Sequence, residues 1–315
     1  MLTIHFRCFH LALVLVVWLS LNAQQTHAAT LALNSEPGHL SLSSQFDLLE
    51  DKSASLQIRD ILQAGEHAGF KPLKGNLNAS YSKSVFWLRL QLQRSDVNVP
   101  RHWLLEMTPV MLDDIRLYVP AADGTLEEHR AGDRLPFSAL EIQHHYPSFS
   151  IHLPDTAPHT VYLRIASTSA IFLRADLWTP IRFAERSNLL SNMMGAYYGI
   201  MLAMIVYNLL LTTSYRDRSM LYYLLLSTAT LIAGMTVNGH MGMYIAPDWP
   251  WLVDILPGLI QPLITLFVSL FIGNFLHLSE KMPRIYVVFR LIQAFCLFAI
   301  LLILLGLNRY IAPAV

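Results

Sequence analysis

Three tripeptides carry the residue types best suited to holding a solute. Trp87-Leu88-Arg89, Tyr162-Leu163-Arg164 and Phe172-Leu173-Arg174 each set an aromatic ring and a guanidinium group two residues apart. Side chains alternate between the faces of an extended strand, so ring and guanidinium share one face and the leucine takes the other. An aromatic face stacks on a sugar ring, and a guanidinium fork pairs with a carboxylate or phosphate. If the three strands lie side by side, Trp87, Arg89, Tyr162, Arg164, Phe172 and Arg174 line one ligand-binding face. Two plainer readings stand beside this one. Arginine stems cover apolar surface while their heads stay wet, or the face docks onto the rest of the protein.

Other reactive residue types do not assemble into a mechanism. His144-His145 and His152 have no Cys or carboxylate at ligand spacing, so they do not define a metal site. Asp113-Asp114 and Glu127-Glu128 are adjacent pairs, read as solvated strand or turn ends rather than as an acid and a base. The Gly-x-Ser-x-Gly elbow of a hydrolase is absent. No catalytic residue, metal ligand or cofactor is therefore assigned, and an exported enzyme on a membrane anchor ranks lowest among the function classes. A formal net charge of zero without any Lys/Arg run argues against a nucleic-acid partner.

The elements that must position these residues are strands. Apolar residues recur with a period of two through Phe86, Leu88, Leu90 and Leu92, through Trp103, Leu105 and Met107, and through Ile115, Leu117 and Val119. The same holds for Phe149, Ile151 and Leu153, for Val161, Leu163 and Ile165, and for Leu173, Ala175 and Leu177. Such alternation marks half-buried strands, and Asp123-Gly124, Gly132-Asp133 and Pro154-Asp155 supply turns between them. Only Ala54–Gly69 has a helical pattern. The segment is predicted to be an all-β, jelly-roll-like sandwich. It has no cysteine, so its own core must hold it.

A second polymer follows. Residues 187–215, 219–247, 255–279 and 291–308 contain no Asp, Glu, Lys or Arg. A helix rising about 1.5 Å per residue crosses a 30 Å hydrocarbon core in roughly 20 residues. Four transmembrane helices are expected, near 190–213, 219–238, 255–276 and 288–308, with Pro257 and Pro262 kinking the third or delaying its start. The loops after the first and third carry Arg216, Arg218, Lys281, Arg284 and Arg290, whereas 238–254 carries no basic residue and has Asp248 and Asp254. The positive-inside bias then puts the sandwich and the second loop outside, with Arg182 and Arg186 running against it. Asp254 falls near the outer end of the third span and can stay in the interface. At the N-terminus, Arg7 and the apolar run Leu11–Leu21 precede Ala28-Ala29, the pattern of a signal peptide cut after residue 28. The division read from the sequence is thus 1–28 signal peptide, 29–185 exported sandwich, and 187–310 helical membrane domain.

Tyr198-Gly199, Tyr207-Asn208, Arg216-Asp217 and Tyr222-Tyr223, with Phe271–Pro283, resemble the bacterial seven-transmembrane receptors with diverse intracellular signalling modules. The exported part is similar to that family's type 2 extracellular domain through Leu49-Glu50-Asp51, Phe86-Trp87-Leu88-Arg89, Trp103-Leu104-Leu105-Glu106, Gly132-Asp133 and Tyr162-Leu163-Arg164. The resemblance implies a multi-pass receptor of the inner membrane. Its periplasmic domain would sense a carbohydrate-like or other small solute, or a partner, as a monomer or a homodimer. The output would be a cytoplasmic diguanylate cyclase or histidine kinase module. Four helices stand where the family has seven, and no output module follows Val315, so the chain reads as truncated. A transporter or channel accessory is the rival class. Asn208, Gln261, Asn274 and Gln293 are the few polar residues within its helices, and no repeat is visible.

Overall fold

The computed structural model describes residues 30–121 and 125–306, so the expected signal peptide lies outside the described residues. Two sheets face each other. The first runs β4 (Lys71–Pro72), β3 (Asp47–Asp51), β6 (Val85–Arg94), β11 (His159–Ala166), β8 (Asp114–Pro120), β9 (Leu126–Ala131), with β1 (Leu31–Leu33) added parallel to β6. The second runs β10 (Ser148–His152), β7 (His102–Thr108), β12 (Ile171–Trp178), β2 (His39–Ser41), with β5 (Leu77–Ser80) on the other end of β12. Every pairing except β1 with β6 is antiparallel.

The period-two residues of the sequence are the ones that meet between the sheets. Leu88, Leu90, Ile115, Leu117, Val161 and Leu163 from the first sheet pack on Trp103, Leu105, Met107, Phe149, Ile151 and Leu177 from the second. A smaller apolar cluster forms outside the first sheet. There α1 (Ile58–Ala64) lowers Ile61 onto Val85, Trp87 and Tyr118. The helix starts where the Asp60 carboxylate accepts the Gln57 N–H at 2.8 Å, and it stops at Gly65, whose φ of 53° suits a residue without Cβ.

The helical part comprises α2 (Pro180–Tyr215), α3 (Arg218–Val237), α4 (Pro250–Phe275), the single turn α5 (Leu278–Lys281) and α6 (Pro283–Leu304). Among the described residues, α2, α3, α4 and α6 are long and apolar enough to cross a membrane. They pack in chain order, α2 on α3, α3 on α4 and α4 on α6. With 36 residues α2 is about 54 Å long, so its first turns stand clear of a 30 Å hydrocarbon layer. One of the polar residues inside acts as glue: Asn274 Nδ2 donates to Ser219 Oγ at 2.8 Å, linking α4 to α3. Pro257 and Pro262 do not delay the third span. The helix starts at Pro250, where a missing N–H costs nothing, and continues through both later prolines.

Trp103 is fully buried between the sheets and donates its indole N–H to the Pro100 carbonyl at 2.9 Å. Trp103→Ala is expected to destabilise the sandwich by about 3–5 kcal/mol, whereas Phe172→Ser on the outer surface should stay within about 0.5 kcal/mol. Chemical denaturation in detergent compares the two; equal losses would contradict this assignment of core and surface.

Candidate functional site

The sandwich separates the six residues of the aromatic–arginine pattern. β6 and β11 are neighbours, with Tyr162 opposite Arg89 and Arg164 opposite Trp87, so these four share the outer face of the first sheet. Phe172 and Arg174 lie on β12, on the outer face of the other sheet. The face holding the four is largely closed. Trp87 is 0% exposed and stacks on Tyr118 with ring centroids 5.8 Å apart. Arg89 pairs with Asp47 at 2.8 Å beneath the Phe70 ring, and Arg164 pairs with Asp114 at 2.7 Å. Both guanidinium groups are thus already engaged. Phe172 is 43% exposed, and its neighbour Arg174 pairs with Asp176 at 2.9 Å.

The more connected groups sit where the sandwich meets the helices. β12 runs into α2 without a linker: Thr179 is the N-cap, donates both its N–H and its hydroxyl to Gly38 O, and is followed by Pro180 at the first helical position. Glu106, 1% exposed on β7, accepts from Arg186 of α2 at 2.6 and 2.7 Å and from the Trp178 indole at 3.1 Å. The Arg186 guanidinium lies 4.9 Å from the centre of the Trp178 ring. Burial pushes the Glu106 carboxyl above its ordinary range, and the charge and hydrogen bonds of Arg186 oppose that push. An arginine that runs against the positive-inside bias is therefore held by a buried carboxylate on the same side.

A second contact joins the sandwich to the loop between α3 and α4. Gly239 has φ of 76°, and a Cβ there would lie 2.0 Å from the His145 carbonyl, so only glycine permits this approach. His145 stacks on His240 at 4.8 Å and packs against His144 at 4.0 Å, and Tyr198 Oη lies 3.0 Å from His240 Nδ1. The Phe137 N–H donates to Pro247 O at 2.8 Å. The second loop and the sandwich thus share one side of the helices, as the charge bias requires. His152 stands apart on β10, beside His102 at 4.4 Å. Burial, reinforced by neighbouring positive charge, lowers His144 to about 4 and His145 to about 3.

Between these groups opens a small cleft of about 50 Å³, open to solvent at its mouth and lined by Val110, Asp133, Leu135, His145, Gly242 and Val253 among others. At its edge one oxygen each of Asp113, Asp133 and Asp254 lies within 4.8 Å of the others. Gly132 makes this possible. Its φ is 129°, and a Cβ would fall 2.3 Å from Asp113 O, so the turn carrying Asp133 presses on the segment carrying Asp113. Burial first, then the charges of Asp113 and Asp254, raise the Asp133 carboxyl to about 7. Asp254, near the outer end of the third span, lies beside Asp113 and Asp133 of the sandwich, because α4 begins at Pro250 and carries it in its first turns. Glu106, Asp133 and His240 were not singled out as site residues in the sequence. A Gly-Asp turn and a histidine beside a glycine were the available signals, and neither reveals a partner more than 90 residues away.

Comparison with known proteins gives two family matches. The 7TMR-DISM extracellular 2 model matches residues 43–179, and the 7TM diverse intracellular signalling model matches residues 191–315. No curated protein matches the chain. Similar solved structures include a glycoside hydrolase family 43 arabinoxylan arabinofuranohydrolase from Bacillus subtilis. It is 12% identical, over 48% of this chain and 28% of that one, with a TM-score of 0.24, too slight an overlap to carry an argument.

Two measurements follow from the junction. Arg186→Ala leaves the Glu106 carboxylate buried without its cation and should cost about 3 kcal/mol, while Glu106→Gln with Arg186→Met should recover most of that loss. A double variant as unstable as the single would show that the pair itself is not the source. The histidines have a pH signature. Unfolded histidine titrates near 6.5, and the folded His144 and His145 resist protonation down to about 4 and 3. Protons are then taken up by the unfolded chain alone, so stability should fall as pH drops from about 6.5 toward 4. Asp133 acts with the opposite sign, so the comparison is with a His145→Phe variant, whose melting midpoint in detergent should fall less over that window. Parallel curves for parent and variant would refute the assignment to His145.

Proposed function

The chain belongs to the family of 7TM receptors with diverse intracellular signalling, and from this premise we propose that it is the sensing part of a bacterial inner-membrane receptor. The sandwich faces the periplasm, where it binds a small solute, carbohydrate-like or otherwise, or a protein partner. The helices carry the change to a cytoplasmic output module of the diguanylate cyclase or histidine kinase type. One observation supports this reading above the others: the sandwich is tied to the helices at two independent points. β12 continues as α2 under the Glu106–Arg186 clamp, and His145 and Phe137 rest on the α3–α4 loop. A ligand shifts an equilibrium only as far as it binds two states unequally. A solute in the cleft would touch sandwich and helices together, so any change in their packing alters its contacts.

The reading assigns recognition to the cleft, with Asp133, His144 and His145 as its polar groups. The outer face with Trp87, Arg89, Tyr162 and Arg164 is the rival surface on the sandwich, and Phe172 with Arg174 is a third, separate patch. The full chain in lipid nanodiscs is screened with mono- and oligosaccharides and small carboxylates for a rise in melting temperature. Val253→Trp, which fills the cleft, should weaken the response at least about tenfold, the equivalent of about 1.4 kcal/mol. Arg89→Ala with Arg164→Ala should leave it intact. The reverse pattern would move recognition to the outer face. Spin labels at positions 213 and 284 should change separation on binding; binding with an unchanged distance would refute signal transmission through these helices.

A further inference from the structure

We propose that Asp113, Asp133 and Asp254 form a binding site for a divalent cation of the Ca²⁺ class, which ties the sandwich to α4. The three carboxylates come from the segment before β8, the turn after β9 and the first turns of a membrane helix, and they converge within 4.8 Å. Among the described residues, one cationic side chain answers the three carboxyl groups. Arg134 pairs with Asp113, and its side chain is about half exposed.

Asp113 is held in place: its Oδ2 accepts from Thr168 N and Oγ1 at 3.0 and 2.8 Å, while its Oδ1, accepting from Ser167 Oγ at 2.6 Å, keeps a lone pair for a cation. Asp133 is the opposite case. The residue is 9% exposed, and its buried Oδ1 accepts no hydrogen bond from any described residue. Leaving a buried acceptor unmet costs roughly 1–3 kcal/mol. An orphan acceptor among further carboxylates, with no donor aimed at it, is the environment a cation completes.

The donor set decides the class of metal. Oxygen ligands without His or Cys favour hard cations over zinc or copper. Two oxygens bound at 2.3–2.6 Å to one Ca²⁺ lie up to about 5 Å apart, which covers the observed spacing. The 2.0–2.1 Å bonds of Mg²⁺ allow only about 4.2 Å and its octahedral shell is less yielding, so this site suits Ca²⁺ better. Backbone carbonyls and water would complete the shell. Because Asp254 belongs to the helices and the other two to the sandwich, occupancy stiffens the junction whatever solute the cleft takes.

The test uses the full chain in detergent, stripped with a chelator and titrated by calorimetry with CaCl₂ and separately with MgCl₂. One Ca²⁺ per chain is expected with a dissociation constant of about 0.1–1 mM, the range of extracellular modules, and weaker binding of Mg²⁺. Asp133→Asn and Asp254→Asn should each weaken Ca²⁺ binding at least about tenfold and abolish its effect on the melting midpoint, while Asp248→Asn on the neighbouring loop should bind as the parent does. Circular dichroism of the chelated variants establishes that they are folded; Asp254→Asn, in the less buried position, serves if Asp133→Asn is not. The proposal is overturned if the parent shows no Ca²⁺ heat up to about tenfold above that range, or if the folded Asp254→Asn variant binds Ca²⁺ as the parent does. A parent that takes up only a proton at Asp133 gives the first of these results.

Discussion

The arrangement depends on a buried carboxylate at the point where a sheet becomes a helix. Glu106 would be costly alone on the outer face of β7, because a desolvated carboxylate loses several kcal/mol of hydration. Arg186, two turns into α2, and the indole of Trp178 answer it. That requirement fixes the rotation of α2 about its axis and its direction as it leaves the sandwich. α3, α4 and α6 pack in sequence from it. The joint transmits orientation, because Thr179 is tied to the Gly38 carbonyl just before Pro180 starts the helix, and no flexible residue intervenes.

A single joint would leave the sandwich free to swing. The contact with the α3–α4 loop removes that freedom, and Gly239 makes it close enough by admitting the His145 carbonyl; within the sandwich, Gly132 lets the turn carrying Asp133 press on Asp113. Around these points lie His144, His145 and His240, each lowered by burial, one carboxyl raised to about 7, and a cleft open to solvent. Titratable groups concentrate at this seam because the low dielectric between two packed bodies magnifies every charge difference between alternative packings.

The aromatic–arginine pattern shows how a correct local reading can mislead about a site. Trp87 and Arg89 do share a face, as do Tyr162 and Arg164, and the register of β6 with β11 brings the four together. The pattern carried no sign that α1 would cover that face or that Asp47 and Asp114 would already occupy the two guanidinium groups. Nor did it separate β12 from the others. Strand neighbours are set by pairing across long stretches of chain, and a tripeptide repeats equally well on opposite sheets.

From the residues alone came the period-two core, the four apolar spans, the sign of the loops and the family, because alternation, apolar length and charge asymmetry are properties of consecutive residues. Tertiary structure alone decided that Glu106 meets Arg186 across 80 positions, and that His145 meets His240. It also decided that Asp254 joins Asp113 and Asp133. Those contacts bind chain segments far apart in sequence. Their energies come from desolvation and close approach, which have no signature until both partners are in place.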